Sequence, residues 1–193
     1  LWLAAVAAAL AGLGEDEDRR GRDLWSGLTV AGIAGVLCAG GPLAFLCAWE
    51  LMALAAFLAI AGGHRQEPVR QAAWLFLVAT RASTLLILAL LALLGAAAGW
   101  AAFAPLPAGT ATTPFFVLAL LAFGLKAGIM PLHFWLPPAH AAAPGPVSAL
   151  LSGLLIKTGI YGLLRVLSLL GPPPAWWGWT LLALGLLSGL AGV

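Results

Sequence analysis

The 193-residue chain is 63% hydrophobic and only 8% charged, with a mean hydropathy of +1.05. A soluble domain carries roughly 25% charged residues and one of this size still exposes much of its area, so the composition excludes a fold surrounded by water and leaves lipid as the solvent. The formal net charge of +2, with no basic patch interleaved with aromatics, gives no footing to nucleic-acid binding.

A spanning helix needs about 20 mostly apolar residues, and the chain reads as about seven such segments. Residues 1–13 form a partial span, and 14–23, with Glu15, Asp16, Glu17, Asp18, Arg19, Arg20, Arg22 and Asp23, read as a loop. Residues 24–39 form a second span, ended by Gly40-Gly41-Pro42, and 43–62 a third, carrying Glu50. A polar loop at 63–71 holds His64, Arg65, Glu67 and Arg70, and 72–94 is a fourth span with Arg81 inside it. The uncharged stretch 95–113, rich in Ala, Gly, Pro and Thr, predicts an interfacial connection, with Trp100 at a headgroup boundary. Residues 115–130 form a fifth span with Lys126; Pro131, Pro137 and Pro138 then break the helix. Residues 147–170 form a sixth, with Lys157 and Arg165, and Trp176, Trp177 and Trp179 open a seventh. The fold class is all-α and polytopic, with one discontinuous helix.

Residues 1–13 hold neither the basic region nor the cleavage site of a signal peptide, the first residue is Leu rather than Met, and both ends fall inside apolar runs. The chain therefore reads as a single transmembrane domain, 1–193, from within a longer polypeptide. All the loop arginines fall at 14–23 and 63–71, whereas 40–42, 95–113 and 171–175 carry no charge. Lys and Arg in loops mark the cytoplasmic side, so 14–23, 63–71 and the broken segment are expected there. Cys38 and Cys47 lack a CxxC spacing and read as packing residues, not a metal site or a disulfide.

A charge at mid-bilayer costs about 2.5–3.5 kcal/mol on insertion scales, so the intramembrane charges need a reason. Glu50, Lys126 and Lys157 are the main candidates. Burial disfavours a lysine's charged form and a nearby carboxylate favours it, so a Glu–Lys pair with a changeable partner can load and unload a proton. Irregular backbone at membrane depth lines cavities or lies buried in protein, and transporters place sites at such breaks. His133 and His140, in and just after the break, titrate near neutrality and can relay protons to Lys157, or serve as polar packing. Arg81 is a further candidate: it either pairs with Glu50 or holds helices together. Arg165, near a helix end, reads as a snorkelling side chain.

The stretch 126–165, KAGIMPLHFWLPPAHAAAPGPVSALLSGLLIKTGIYGLLR, together with Trp-Glu-Leu-Met at 49–52, resembles the proton-conducting antiporter-like subunits shared by complex I, multisubunit sodium/proton antiporters and membrane-bound hydrogenases. The run from Ala143 to Gly162 looks most like the hydrogenase-4 and formate hydrogenlyase type. The resemblance implies that Glu50 is the family's helix-5 carboxylate, Lys126 the lysine of its broken helix 7, and Lys157 the helix-8 lysine. It implies the first of two inverted five-helix repeats. Where many relatives have a carboxylate after Leu-Pro, this chain has Pro138. The implied function is proton translocation within a redox-driven complex of the inner (plasma) membrane. Partner subunits would carry the electrons, and this chain would hold no cofactor, metal or redox centre of its own. The other reading is a subunit of a multisubunit sodium/proton antiporter, moving sodium ions as well as protons.

Overall fold

The computed structural model describes residues 19–63 and 66–191, and the first span expected at 1–13 lies outside them. The described residues are helical, without strands. The helices are α1 (Arg19–Cys38), α2 (Pro42–Ile60), α3 (Glu67–Ala98), α4 (Thr113–Ala127), α5 (Leu136–Ala142), α6 (Gly145–Leu150), α7 (Ile156–Leu167) and α8 (Ala175–Ala191). A π-turn, Leu151–Leu155, joins α6 to α7 into one rod. Three segments are long and apolar enough to cross a bilayer: α2, α3 and Gly145–Leu167. Thr113–Ala127 and Ala175–Leu190 are shorter apolar helices.

Proline sets where five of the helices begin. Pro42, Pro68, Pro114, Pro137 and Pro146 lie in the first turn of α2, α3, α4, α5 and α6. There the missing N–H has no intrahelical partner to lose, and the fixed φ suits a helix. Two loops are shorter than the sequence suggested. Arg19 to Asp23 form the first turn of α1, and Glu67 to Gln71 open α3. Hydropathy marks where the bilayer ends, but a helix rich in Arg and Glu continues into water at little cost. At 1.5 Å per residue the 32 residues of α3 reach about 48 Å, well beyond a hydrocarbon core of about 30 Å.

Lipid supplies no hydrophobic drive between helices, so close packing of small residues must hold them together. A Cβ on Gly32 would fall 2.5 Å from the Met52 nitrogen, and one on Gly35 2.8 Å from the Ala48 Cβ, so α1 and α2 meet backbone to backbone. On α7, a Cβ at Gly159 would meet the Phe123 carbonyl at 2.8 Å and one at Gly162 the Phe123 ring at 2.3 Å. The α4–α7 contact therefore requires glycine at both. Outside this core, Leu43, Trp74, Leu85, Leu164, Trp179 and Leu190 stay exposed, as apolar side chains facing lipid or further helices would.

The three uncharged connections gather at one end of the bundle. The Phe103 amide donates to the Gly40 carbonyl (3.1 Å) and the Leu106 amide to the Leu169 carbonyl (2.9 Å). Arg165 is fixed there too: its guanidinium donates to the Ala39 carbonyl and the Tyr161 hydroxyl, and lies 4.6 Å from the Phe103 ring. It is a tie between α7, the end of α1 and the 99–112 connection, not the snorkelling side chain expected from its place near a helix end. At the opposite end, α5 lies against the start of α3, so the broken segment and the 63–71 region share an end, as the alternation of charge requires.

Candidate functional site

The break is built by local chemistry. α4 closes on Gly128 at φ +67, in the left-handed region that glycine adopts without strain. The Gly128 amide donates to the Leu125 carbonyl and the Ile129 amide to the Gly124 carbonyl. That pair of bonds caps the last turn and halts α4 after 15 residues, about 22 Å and short of a full crossing. The Trp135 indole N–H donates to the Leu125 carbonyl (2.8 Å), and the Met130 amide to the Ser188 hydroxyl on α8 (2.9 Å). These bonds satisfy backbone that lipid could not.

Lys126 sits in that last turn and is 1% exposed. Its ammonium has no hydrogen-bond partner among the described residues. What surrounds it is aromatic: the Phe76 ring centroid lies 5.1 Å away and the Trp49 centroid 5.8 Å away. Ring faces and the C-terminal end of a helix both favour a cation, but neither accepts a proton. Trp49 is held by Phe45 and Phe123, and Phe76 by Trp135. Ser83 of α3 donates to the Ala122 carbonyl of α4 (2.8 Å), which fixes α3 against the turn before Lys126.

Glu50 of α2 and Arg81 of α3 form an ion pair through Oε2 and Nη1. Of the two roles open to Arg81, pairing with Glu50 is the one observed. Among the described residues, Glu50 Oε1 and Arg81 Nε and Nη2 have no hydrogen-bond partner, so the pair has capacity to spare. Among the described residues, the charges that act on Lys126 are these two, of opposite sign. Three successive helices thus bring Glu50, Arg81 and Lys126 into one group, and the carboxylate is bonded to the arginine, not to the lysine as a direct Glu–Lys pair would have it.

The remaining candidates lie elsewhere. His140 Nδ1 is 2.8 Å from the Ser148 hydroxyl, and Nε2 is 3.4 Å from that of Ser152. His133 is half-buried in the break, its Nδ1 unpartnered. Lys157 is exposed on the outer face of α7, while the next two residues, Thr158 and Gly159, pack inward. Depth along a helix can be counted from sequence; the side it faces depends on its neighbours. Trp49, Phe76, Ser148 and Ser152 were not singled out as site residues from sequence. Trp49, Ser148 and Ser152 carried a signal, lying inside the motifs at 49–52 and 143–162, and Phe76 carried none.

Residues 39–193 match the family model described as NADH:quinone oxidoreductase/Mrp antiporter, transmembrane. The chain belongs to that family. It is 46% identical over 169 residues to an uncharacterized protein of Mycobacterium tuberculosis, covering 86% of this chain and 26% of that one. It is 37% identical over 172 residues to hydrogenase-4 component B of Escherichia coli, covering 85% and 25%. It superposes with a TM-score of 0.79 on a chain of the membrane-bound sulfane sulfur reductase, an archaeal respiratory membrane complex, at 27% identity over 99% of this chain and 34% of that one. The chain thus spans about a quarter of the length of the curated relatives it matches. It is an antiporter-like, all-α membrane protein, as the motifs at 49–52 and 126–165 implied.

Proposed function

We propose that the chain is one transmembrane domain of a longer, proton-translocating subunit in a redox-driven complex of the hydrogenase-4 or NADH:quinone oxidoreductase kind, resident in the plasma membrane. The observation that carries this reading is Lys126: a fully buried ammonium with no hydrogen-bond partner, beside a carboxylate that is bonded to a different cation. Arginine keeps its charge under all working conditions; Lys126 and Glu50 are the members of the group able to change theirs. When Glu50 holds Arg81, Lys126 has no counter-charge in contact. When Glu50 turns to Lys126, the ammonium gains one and a proton is held there. Exchange between these partners loads and releases a proton.

His140, with hydroxyls on both ring nitrogens, His133 and Lys157 continue the route in this reading. The exposed face of Lys157 is where the rest of the longer subunit would pack. Partner subunits would supply the electrons, and this segment would bind no redox group. Lys126→Ala in the assembled, full-length complex, reconstituted in proteoliposomes, is the direct test. Proton uptake should fall to background while electron transfer and assembly persist; normal pumping would end the proposal. Sodium-independent uptake is expected, and strict dependence on sodium would favour the sodium/proton antiporter reading instead.

A further inference from the structure

A cavity of about 500 Å³ opens at the end of the bundle where α3 begins, between the start of α3 and α5. Gln66, Val69, Ala72 and Leu75 face it from one side, and Pro138 and Ala142 from the other. None of its described lining residues is charged. Phe76 lies four residues beyond Ala72, and Trp135 three before Pro138. Residues three or four apart share a helix face, one turn deeper, and Trp135 already has helical backbone angles. Phe76 and Trp135 are 0% and 2% exposed, and their rings meet edge to face at 5.4 Å between centroids. This aromatic pair therefore lies one turn beyond lining residues Ala72 and Pro138, closed off from the cavity itself. The Lys126 ammonium is 5.1 Å from the Phe76 centroid.

We infer that the cavity is an aqueous vestibule serving Lys126 and that the Phe76–Trp135 pair is its gate. This rests on the proton-carrying role proposed for Lys126. The vestibule is large enough for several waters, each needing only about 30 Å³, and Gln66 and Gln71 supply amides at its wall. The pair supplies no free polar side-chain atom for water to follow, since the Trp135 N–H is already donated to the Leu125 carbonyl. Water cannot cross while the rings touch. A proton reaches or leaves Lys126 from this side when the Phe76 ring swings away from Trp135. Phe76 is thus a gating residue; it holds no proton.

Two variants test the gate in the full-length complex in proteoliposomes, with electron transfer switched off and a potassium-diffusion potential imposed. Phe76→Ala removes half the aromatic pair and should raise passive proton leak by about tenfold or more, the equivalent of at least 1.4 kcal/mol off the barrier. Phe76→Leu keeps the volume nearly filled and should leak like the parent. The leak should vanish when Lys126→Ala is added, because it runs through the lysine. Ala141→Phe, at the exposed rim of the cavity, should obstruct the vestibule and slow pumped uptake several-fold; this arm decides the matter if Phe76→Ala does not assemble. A tight Phe76→Ala complex, a leak that persists with Lys126→Ala, or normal uptake in Ala141→Phe would each overturn the gate. Normal pumping by Lys126→Ala alone would instead overturn the role of Lys126, so the two failures are distinct.

Discussion

Glu50→Gln isolates what the Glu50–Arg81 pair contributes. The change keeps the shape of the side chain and removes its charge, leaving Arg81 at membrane depth with no counter-charge. Breaking a fully buried pair costs about 3–5 kcal/mol, and an exposed one at most about 1 kcal/mol. Here the side chains are 36% and 28% exposed, which places the loss near 2 kcal/mol, or about thirtyfold in an equilibrium. Proton uptake by the full-length complex in proteoliposomes should fall at least that far for Glu50→Gln, and similarly for Arg81→Gln. The double variant restores neutrality but still lacks the carboxylate. It should match Glu50→Gln to within about threefold, since groups acting as one unit are not additive. Glu50→Asp should retain partial uptake, keeping the charge at a longer reach. If the double variant falls to the product of the two single losses, about a thousandfold, the residues act separately and the partner exchange must be abandoned.

Three further outcomes follow from the same structure. Lys157→Ala should strongly reduce proton translocation with assembly intact; a complex that pumps normally would remove Lys157 from the route. Gly162→Leu should drive a side chain into the Phe123 ring, which it would meet at 2.3 Å even at Cβ, and destabilise the α4–α7 contact by about 1–3 kcal/mol. An unchanged resistance to thermal unfolding in detergent would refute that packing. Single cysteines at Asp23 and Gln66, in a background with Cys38 and Cys47 replaced, should be closed to impermeant thiol reagents added outside the cell. Labelling of both from outside would invert the orientation.

The sequence exposed depth more clearly than direction. Counting along apolar runs put Glu50, Lys126 and Arg81 inside their helices, and the prolines marked the break, because those signals are local. Which helix face turns inward depends on the neighbours that pack there. Lys126 and Lys157 look alike in sequence, each among small and apolar residues, yet one is 1% exposed and the other lies on the outer face of its rod. The glycines that force the approach of α7 to α4 are Gly159 and Gly162; Gly124, beside Lys126, has only ordinary contacts. Arg165 escaped for the same reason, since one of its acceptors, the Ala39 carbonyl, follows α1 and its aromatic platform lies in the 99–112 connection, both far away in sequence.

That difference between local and tertiary signals bears on how the site works. Sequence alone makes Glu50 and Lys126 an attractive pair, one acid and one base buried in neighbouring helices. A permanent bond between them would be a poor carrier, because each would hold the other's charge in place. The fold interposes Arg81, which gives Glu50 a competing partner that never surrenders its own proton. It surrounds Lys126 with rings that tolerate a cation without accepting its proton. In the mechanism proposed above, the lysine depends on a carboxylate whose attachment is elsewhere, and exchange of that partner decides whether the ammonium has a counter-charge. A site built for stability would have joined Glu50 to Lys126 and left Arg81 out of the membrane; this one places a third charge where it can compete.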